Sequence, residues 1–269
     1  VEGEVKNKFG LSLTGAKETD FDFQYGLMQP PAQLSFIEEK MDSVRETTDT
    51  LTLASFRSQR ENLLQKYKDN FKKIINSHPS YFQALFNVYQ NANYFTVAEL
   101  QRFTEVFDKK LLELPTGKKL ITFIKNENKL LPGKVFPEFI YMDTTGEKIS
   151  LADVKGSKGT LIVFWASWCG PCREEIPELK KLYHVYHSKG ISIVSISCDN
   201  DSKSWKKALQ QEQMLWPNLS NLPGYYGDIF SKYNIKAIPL MFLLDGESNI
   251  ISEPKSIEQV KEQLERKKL

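Results

Sequence analysis

The chain has 269 residues, 41% hydrophobic and 26% charged, with 36 Lys and Arg against 34 Asp and Glu and a net charge of +2. That length has room for two domains, and the near-balanced charge leaves no electrostatic basis for binding nucleic acid. No run approaches the about 18 apolar residues that a membrane span needs, and three cysteines are too few for a structural disulfide framework.

The chain begins at Val1 with no visible signal peptide, which predicts a processed or trimmed N-terminus and a lipid or signal anchor lost upstream. Phe9, Leu11 and Leu13 alternate ahead of Thr14-Gly15, the pattern of a strand. Residues 1–27 therefore read as an extended segment, the remnant of a truncated β-domain. A helical domain is expected over residues 28–131. Leu34, Ile37, Met41 and Val44 fall at helical spacing, as do Leu64, Tyr67, Phe71 and Ile74 in a longer helix ending near His78-Pro79. Ser80 to Asn91 brings Tyr81, Leu85, Val88 and Tyr89 to one face. Thr96-Val97-Ala98-Glu99 is a capping box, opening a helix expected to carry Leu100, Phe103, Val106, Phe107 and Leu111. A short helix, Gly117 to Lys125, follows Pro115. These stripes read as helix–helix core, and the scattered Lys and Arg as a solvated face.

Lys129 to Lys134 marks the boundary of a second domain, 132–269. Phe139 to Met142 and Lys148 to Leu151 predict a hairpin around Asp143-Thr144-Thr145-Gly146. Leu161, Ile162, Val163, Phe164 and Trp165, with Gly159 before them, form an unbroken apolar run, as in a strand buried on both faces. A helix follows from about Gly170, with a kink expected at Pro177. Ile191 to Ser197 is a second strand, parallel to the first through that helical crossover. Ser204 to Gln211 and Tyr225 to Tyr233 read as helices. Leu240 to Leu244 and Asn249 to Ser252 read as strands joined by a turn at Asp245-Gly246. The chain closes with an amphipathic helix, Ser256 to Lys267, with Ile257, Val260 and Leu264 inward.

Cys169 and Cys172 lie at the strand-to-helix junction, three residues apart, so both sulfurs can share one side of the helix. Unpaired N–H groups and the helix dipole favour negative charge there, and the thiolate is the nucleophile that attacks a disulfide. Cys169 would open a substrate disulfide and Cys172 would resolve the mixed disulfide, leaving a Cys169–Cys172 bridge. Cys169 is expected to be the exposed thiol of the pair. Half a zinc site and a pair of structural thiols are the other readings. Zinc usually takes four protein ligands, and only Cys198 and three His remain. His184 and His187 share a helix face without a third ligand, so no metal site is expected. Cys198 reads as a buried, inert thiol.

The stretch W-A-S-W-C-G-P-C, residues 165–172, resembles the thioredoxin superfamily. Pro132-Gly133, Phe136-Pro137-Glu138-Phe139, Gly146 to Leu151 and Ala237-Ile238-Pro239 make it similar to the TlpA/ResA branch of bacterial envelope thiol–disulfide oxidoreductases. The resemblance covers residues 132–269. It implies an α/β thioredoxin-like fold, a central mixed sheet flanked by helices, behind a mainly helical domain. It also implies reduction of protein disulfides on the periplasmic side of the envelope, with no cofactor. The partners would be a disulfide-bearing protein and an upstream thiol donor. A disulfide oxidase or isomerase on the same fold is the first alternative, and a partner-binding module using the helical domain the second.

The resemblance makes the Ile238–Pro239 bond cis and sets it opposite the cysteines, with the Ile238 backbone available to a substrate segment. Gly170 and Pro171 are the thioredoxin dipeptide. Trp168 either shapes the rim of the thiol or simply packs. Glu175, one turn beyond Cys172, either takes the Cys172 proton or complements the helix dipole. Thioredoxins proper carry a buried acid in the central strand, level with Val163 here, so Glu175 is its candidate substitute.

Overall fold

A computed structural model describes residues 5–6, 12–13, 32–45, 50–222, 232–235 and 237–267. The chain divides into two units, Val1–Ile124 and Lys125–Leu269.

In the first unit, Val5–Lys6 (β1) pairs antiparallel with Ser12–Leu13 (β2). Phe9 and Leu11 of the expected strand lie outside the described residues. The helices are Ala32–Arg45 (α1), Thr50–Ser77 (α2), Phe82–Gln90 (α3), Val97–Val106 (α4), Lys109–Glu113 (α5) and Pro115–Lys129 (α6), the last running past the unit boundary after Ile124. Leu34, Ile37 and Met41 are buried at their helical spacing, and so are Leu64, Tyr67, Phe71 and Ile74. Helix α2 stops ahead of Pro79, which disfavours helical geometry in the residue before it. The core is aromatic: Tyr67 meets Phe71 at 4.9 Å, Phe71 meets Phe95 at 5.1 Å and Phe95 meets Phe103 at 5.2 Å, all edge to face. Such pairs add about 0.5–1.5 kcal/mol each beyond the area they bury.

Thr96 and Glu99 form the capping box that starts α4. The helix expected to run on to Leu111 instead breaks at Phe107-Asp108. Phe107 is extended, the Asp108 N–H donates to the Pro79 carbonyl at 3.0 Å, and the Asp108 carboxylate caps α5 through the Lys110 N–H. Val106 is consequently exposed, off the buried face that the spacing assigned it. The last helix is longer than expected, because Pro115 opens it rather than preceding it.

The second unit is a five-stranded mixed sheet in the order β7-β6-β5-β8-β9, with helices and a separate hairpin. Its strands are Gly159–Trp165 (β5), Ile191–Ser197 (β6), Asn218–Leu219 (β7), Leu240–Asp245 (β8) and Ile250–Ser252 (β9). The hairpin is Ile140–Met142 (β3) against Lys148–Ser150 (β4). All seven residues of β5 are buried, as its unbroken apolar run predicts. Strand β5 runs parallel to β6 and antiparallel to β8, with Trp165 opposite Ser197 and Phe164 opposite Leu240. The end of β5, the end of β6 and the start of β8 therefore meet at one edge of the sheet.

Both outer strands are covered by the segment that enters this unit. Gly133 donates its N–H to Ile250, the first residue of β9, Phe136 donates to Ser248 just before it, and Met142 exchanges two backbone bonds with Ser220 beyond β7. Unpaired edges invite association, so this wrapping protects the sheet. A short helix, Leu151–Val154 (α7), and strand β7 were not expected. The signal for the helix was the Ser150/Asp153 capping box. Helix Gly170–Tyr186 (α8) runs continuously through Pro177. Ser202–Glu212 (α9) and Ile257–Arg266 (α10) complete the unit, and Ile257, Val260 and Leu264 are buried as expected. Between β8 and β9 the left-handed residue is Ser248, φ 67°, rather than Gly246, because the Asp245 carboxylate accepts the Glu247 and Asn249 N–H groups and sets the turn. Of the helix expected over Tyr225 to Tyr233, residues 225–231 lie outside the described residues.

Candidate active site

Cys169 is the N-cap residue of α8, and Pro171 sits in the first turn, where its missing N–H costs nothing. The Cys172 N–H donates to Cys169 Sγ at 3.2 Å, so a free amide of the helix start is turned on that sulfur. This is the environment that stabilises a thiolate. The two cysteines form a disulfide, with Cα atoms 5.3 Å apart. The expectation that Cys169 is exposed is not met: in the bridged state Cys169 is 5% exposed and Cys172 3%. The Cys169 side chain turns back over the helix start and lies 3.7 Å from the Ile238 carbonyl oxygen. The exposed surface here belongs instead to Trp168, 54% exposed, and to Gly170 and Pro171.

Sheet register explains how Ile238 comes to the site from 69 residues away. Leu240 opens β8 opposite Phe164, so the residues just before it stand beside Ala166 to Cys169. The Ile238–Pro239 peptide is cis, as the resemblance implies.

Three acids surround this end of α8 in different ways. Glu175 is half-buried, and its Oε2 has no hydrogen-bond partner among the described residues. Burial, reinforced by the Glu258 carboxylate, pushes its carboxyl up to about 7. Glu178, one turn on, accepts from Lys181 at 2.6 Å and Lys261 at 2.8 Å, and these bonds hold it down at about 2. The third acid, Asp199, was not anticipated. It lies just beyond β6, 2% exposed, and accepts from the Ser167 N–H at 2.9 Å, the Ser167 hydroxyl at 2.5 Å and the Ser197 hydroxyl at 2.7 Å. A polar residue just after a strand reads as a loop residue, so only the fold could bring it to Ser167. Arg173, next to Cys172, was also passed over. It is tied to Glu212 at 2.6 Å and Gln211 at 3.2 Å on α9.

Cys198 is buried, and burial followed by the Asp199 charge pushes its thiol up to about 12, which suits an inert role. Among the described residues no group of three or more His, Cys, Asp or Glu could hold a metal ion. No helix among them is long and apolar enough to cross a membrane.

What this arrangement can do chemically is exchange disulfides: a thiol pair at a helix start, one sulfur able to attack and the other to resolve. Sequence comparison with known proteins agrees. Residues 132–252 match the AhpC/TSA family model. The chain is 36% identical over 143 residues to a thiol-disulfide oxidoreductase ResA from Bacillus cereus, covering 53% of this chain and 80% of that protein. It is 32% identical over 149 residues to the thioredoxin-like protein YneN of Bacillus subtilis, covering 54% and 84%. A solved thioredoxin domain of a thiol-disulfide oxidoreductase from Bacteroides vulgatus is 31% identical, covers 51% of this chain and 97% of its own, and has a TM-score of 0.47. With its Cys169–Cys172 pair at the head of α8, the chain belongs to the TlpA/ResA-like branch of the thioredoxin superfamily and is a thiol–disulfide oxidoreductase.

Proposed function

We propose that the chain reduces protein disulfides on the periplasmic side of a bacterial cell envelope. The observation that carries this reading is the placement of Cys169 at the start of α8, with the Cys172 N–H turned on its sulfur and the Ile238 carbonyl 3.7 Å away. In the reduced protein the Cys169 thiolate attacks one sulfur of a substrate disulfide, forming a mixed disulfide and releasing the other sulfur as a thiolate. Cys172 then attacks Cys169 Sγ, the mixed disulfide breaks, and the substrate leaves as a dithiol. Two electrons pass to the substrate, and an upstream thiol donor restores the pair.

Cys172 needs to lose its proton before it attacks. Glu175, one turn further along α8 with a carboxyl near 7, is the proton acceptor in this reading. An extended substrate segment pairs with the Ile238 backbone beside Pro239, and Trp168, Gly170 and Pro171 form the rim it crosses. The unit carrying this chemistry is Lys125–Leu269, which follows the helical unit along the chain.

The test is turnover of insulin disulfides by the dithiol protein, together with the potential of the Cys169–Cys172 couple. Reduction at a potential below that of the substrate supports the reading. A couple that oxidises dithiols but leaves insulin intact would move it to the oxidase or isomerase class. Single-turnover resolution of a trapped mixed disulfide tests Glu175: Glu175→Gln is expected to slow it by about ten- to a hundredfold, and Glu174→Gln to leave it unchanged. Equal rates in both variants and the parent would return Glu175 to a dipole-complementing role.

A further inference from the structure

We infer that Asp199 is a positioning residue for the attacking thiol, acting through Ser167. The inference rests on the reading of Cys169 as the nucleophile and concerns what holds its loop in place. Between the end of β5 and the start of α8 the chain has only Ala166, Ser167, Trp168 and Cys169 in which to turn. The Cys169 N–H closes that turn on the Ala166 carbonyl at 3.1 Å, and the Cys198 N–H holds the Trp165 carbonyl at 2.8 Å. Between these two ties, Ser167 is gripped twice by one carboxylate, through its N–H and its hydroxyl.

That carboxylate is itself fixed. The Ser197 hydroxyl donates to Asp199 Oδ2, while the Asp199 N–H donates to the Ser197 oxygen at 3.0 Å. Strand β6, which lies parallel beside β5, thereby reaches across to the loop that follows β5. Burying an acid without a cation costs several kcal/mol unless its oxygens are satisfied, as these are by three donors. For a purely structural tie at this spot, a serine or threonine would serve without that cost. A carboxylate, however, can receive the N–H and the hydroxyl of one serine on two oxygens, which removes the rotation a single bond leaves. Trp168 and Cys169 follow directly, so the clamp sets where Cys169 Sγ stands relative to the Ile238 carbonyl. Attack on a disulfide needs the sulfurs aligned, and a displacement of about 1 Å can cost a hundredfold.

The experiment compares Ser167→Ala, Asp199→Asn and the double variant with the parent, all as the full chain. Two quantities are read: the alkylation rate of reduced Cys169 across pH, and kcat and KM for insulin reduction. Expected is a three- to thirtyfold fall in kcat for each single variant, a displaced pH profile of Cys169 alkylation, and little change in KM. The double variant should be no slower than the worse single one, since both substitutions cut the same clamp. Multiplying effects, or parental rates and pH profile in Ser167→Ala, would overturn the inference. Should Asp199→Asn fail to fold, Ser167→Ala decides alone. Alkylation needs no disulfide substrate, so a protein that fails to reduce insulin loses the proposed function while the clamp is still tested.

Discussion

In the helical unit the buried polar side chains answer one another: Asn91 donates to the Asn87 carbonyl at 2.9 Å, and Gln83 donates to Asn87 Oδ1 at 3.1 Å. The redox unit is different. Glu175 Oε2 and Trp165 Nε1 are buried without a partner among the described residues, and Asp199 is a buried acid. Trp165 ends β5, Glu175 lies on the first turns of α8, and Asp199 stands just beyond β6. Among the described residues the unpartnered buried atoms lie in the redox unit, beside the thiols and also at Trp205 Nε1 and Asn218 Oδ1, whereas Asp199 is satisfied by three donors. Even within α8 the contrast recurs, since Glu178 is tied by two lysines while Glu175, a turn earlier, has an unpartnered oxygen and a carboxyl raised to about 7.

The most drastic way to separate the units is at the cysteines. Cys169→Ser is expected to abolish disulfide reduction, and Cys172→Ser to stop after one attack with substrate bound covalently through Cys169. The thermal unfolding of the helical unit should not change in either. Mass spectrometry of the trapped adduct checks the order of attack, and an adduct through Cys198 would break it.

The converse substitution is Phe71→Ala, in the aromatic core of the helical unit. It should cost that unit about 3–5 kcal/mol, because the cavity is lined by rings that cannot collapse into it. Alkylation of Cys169 in the protein that remains folded should keep its rate. A changed rate would mean that the helical unit bears on the thiol.

Truncation sharpens the same division. Leu130 is 7% exposed within the core of the redox unit, ahead of the Pro132-Gly133 step. A fragment starting at Lys125 keeps it and one starting at Pro132 does not, so the shorter should be less stable by about 2–4 kcal/mol in urea. Both should still reduce insulin. If both are insoluble while the full chain works, the redox unit does not fold alone.

The smallest effect concerns Glu175 and pH. Its carboxyl stands near 7 in the folded protein against 4.5 ordinarily, so the folded state holds a proton that the unfolded chain has released. Stability therefore falls as pH rises from about 4.5 to about 7. Glu175→Gln removes that fall. Because the group is only half-buried, solvent screening leaves a gain on the order of 1 kcal/mol at pH 8 and none at pH 4. Denaturant unfolding at both values checks it, and equal gains at the two would mean that the carboxyl is not perturbed.

The sequence by itself determined the elements whose signals are local. The apolar run of β5, the alternation of β6, the capping box at Thr96 and the C-terminal amphipathic stripe all follow from side-chain periodicity and cap chemistry within a few residues. The cysteine pair was legible for the same reason, since strand, spacing and first-turn proline are contiguous. What depended on distant partners was decided only by the tertiary structure. The break at Phe107 comes from the Pro79 carbonyl, β7 exists because β6 and Met142 flank it, and the burial of Cys169 comes with the Ile238 segment. Asp199 is the sharpest case. Its carboxylate reaches Ser167 across 32 residues, and only the parallel register of β5 and β6 brings the two together, because hydrogen bonds form between neighbours in space, whatever their separation along the chain.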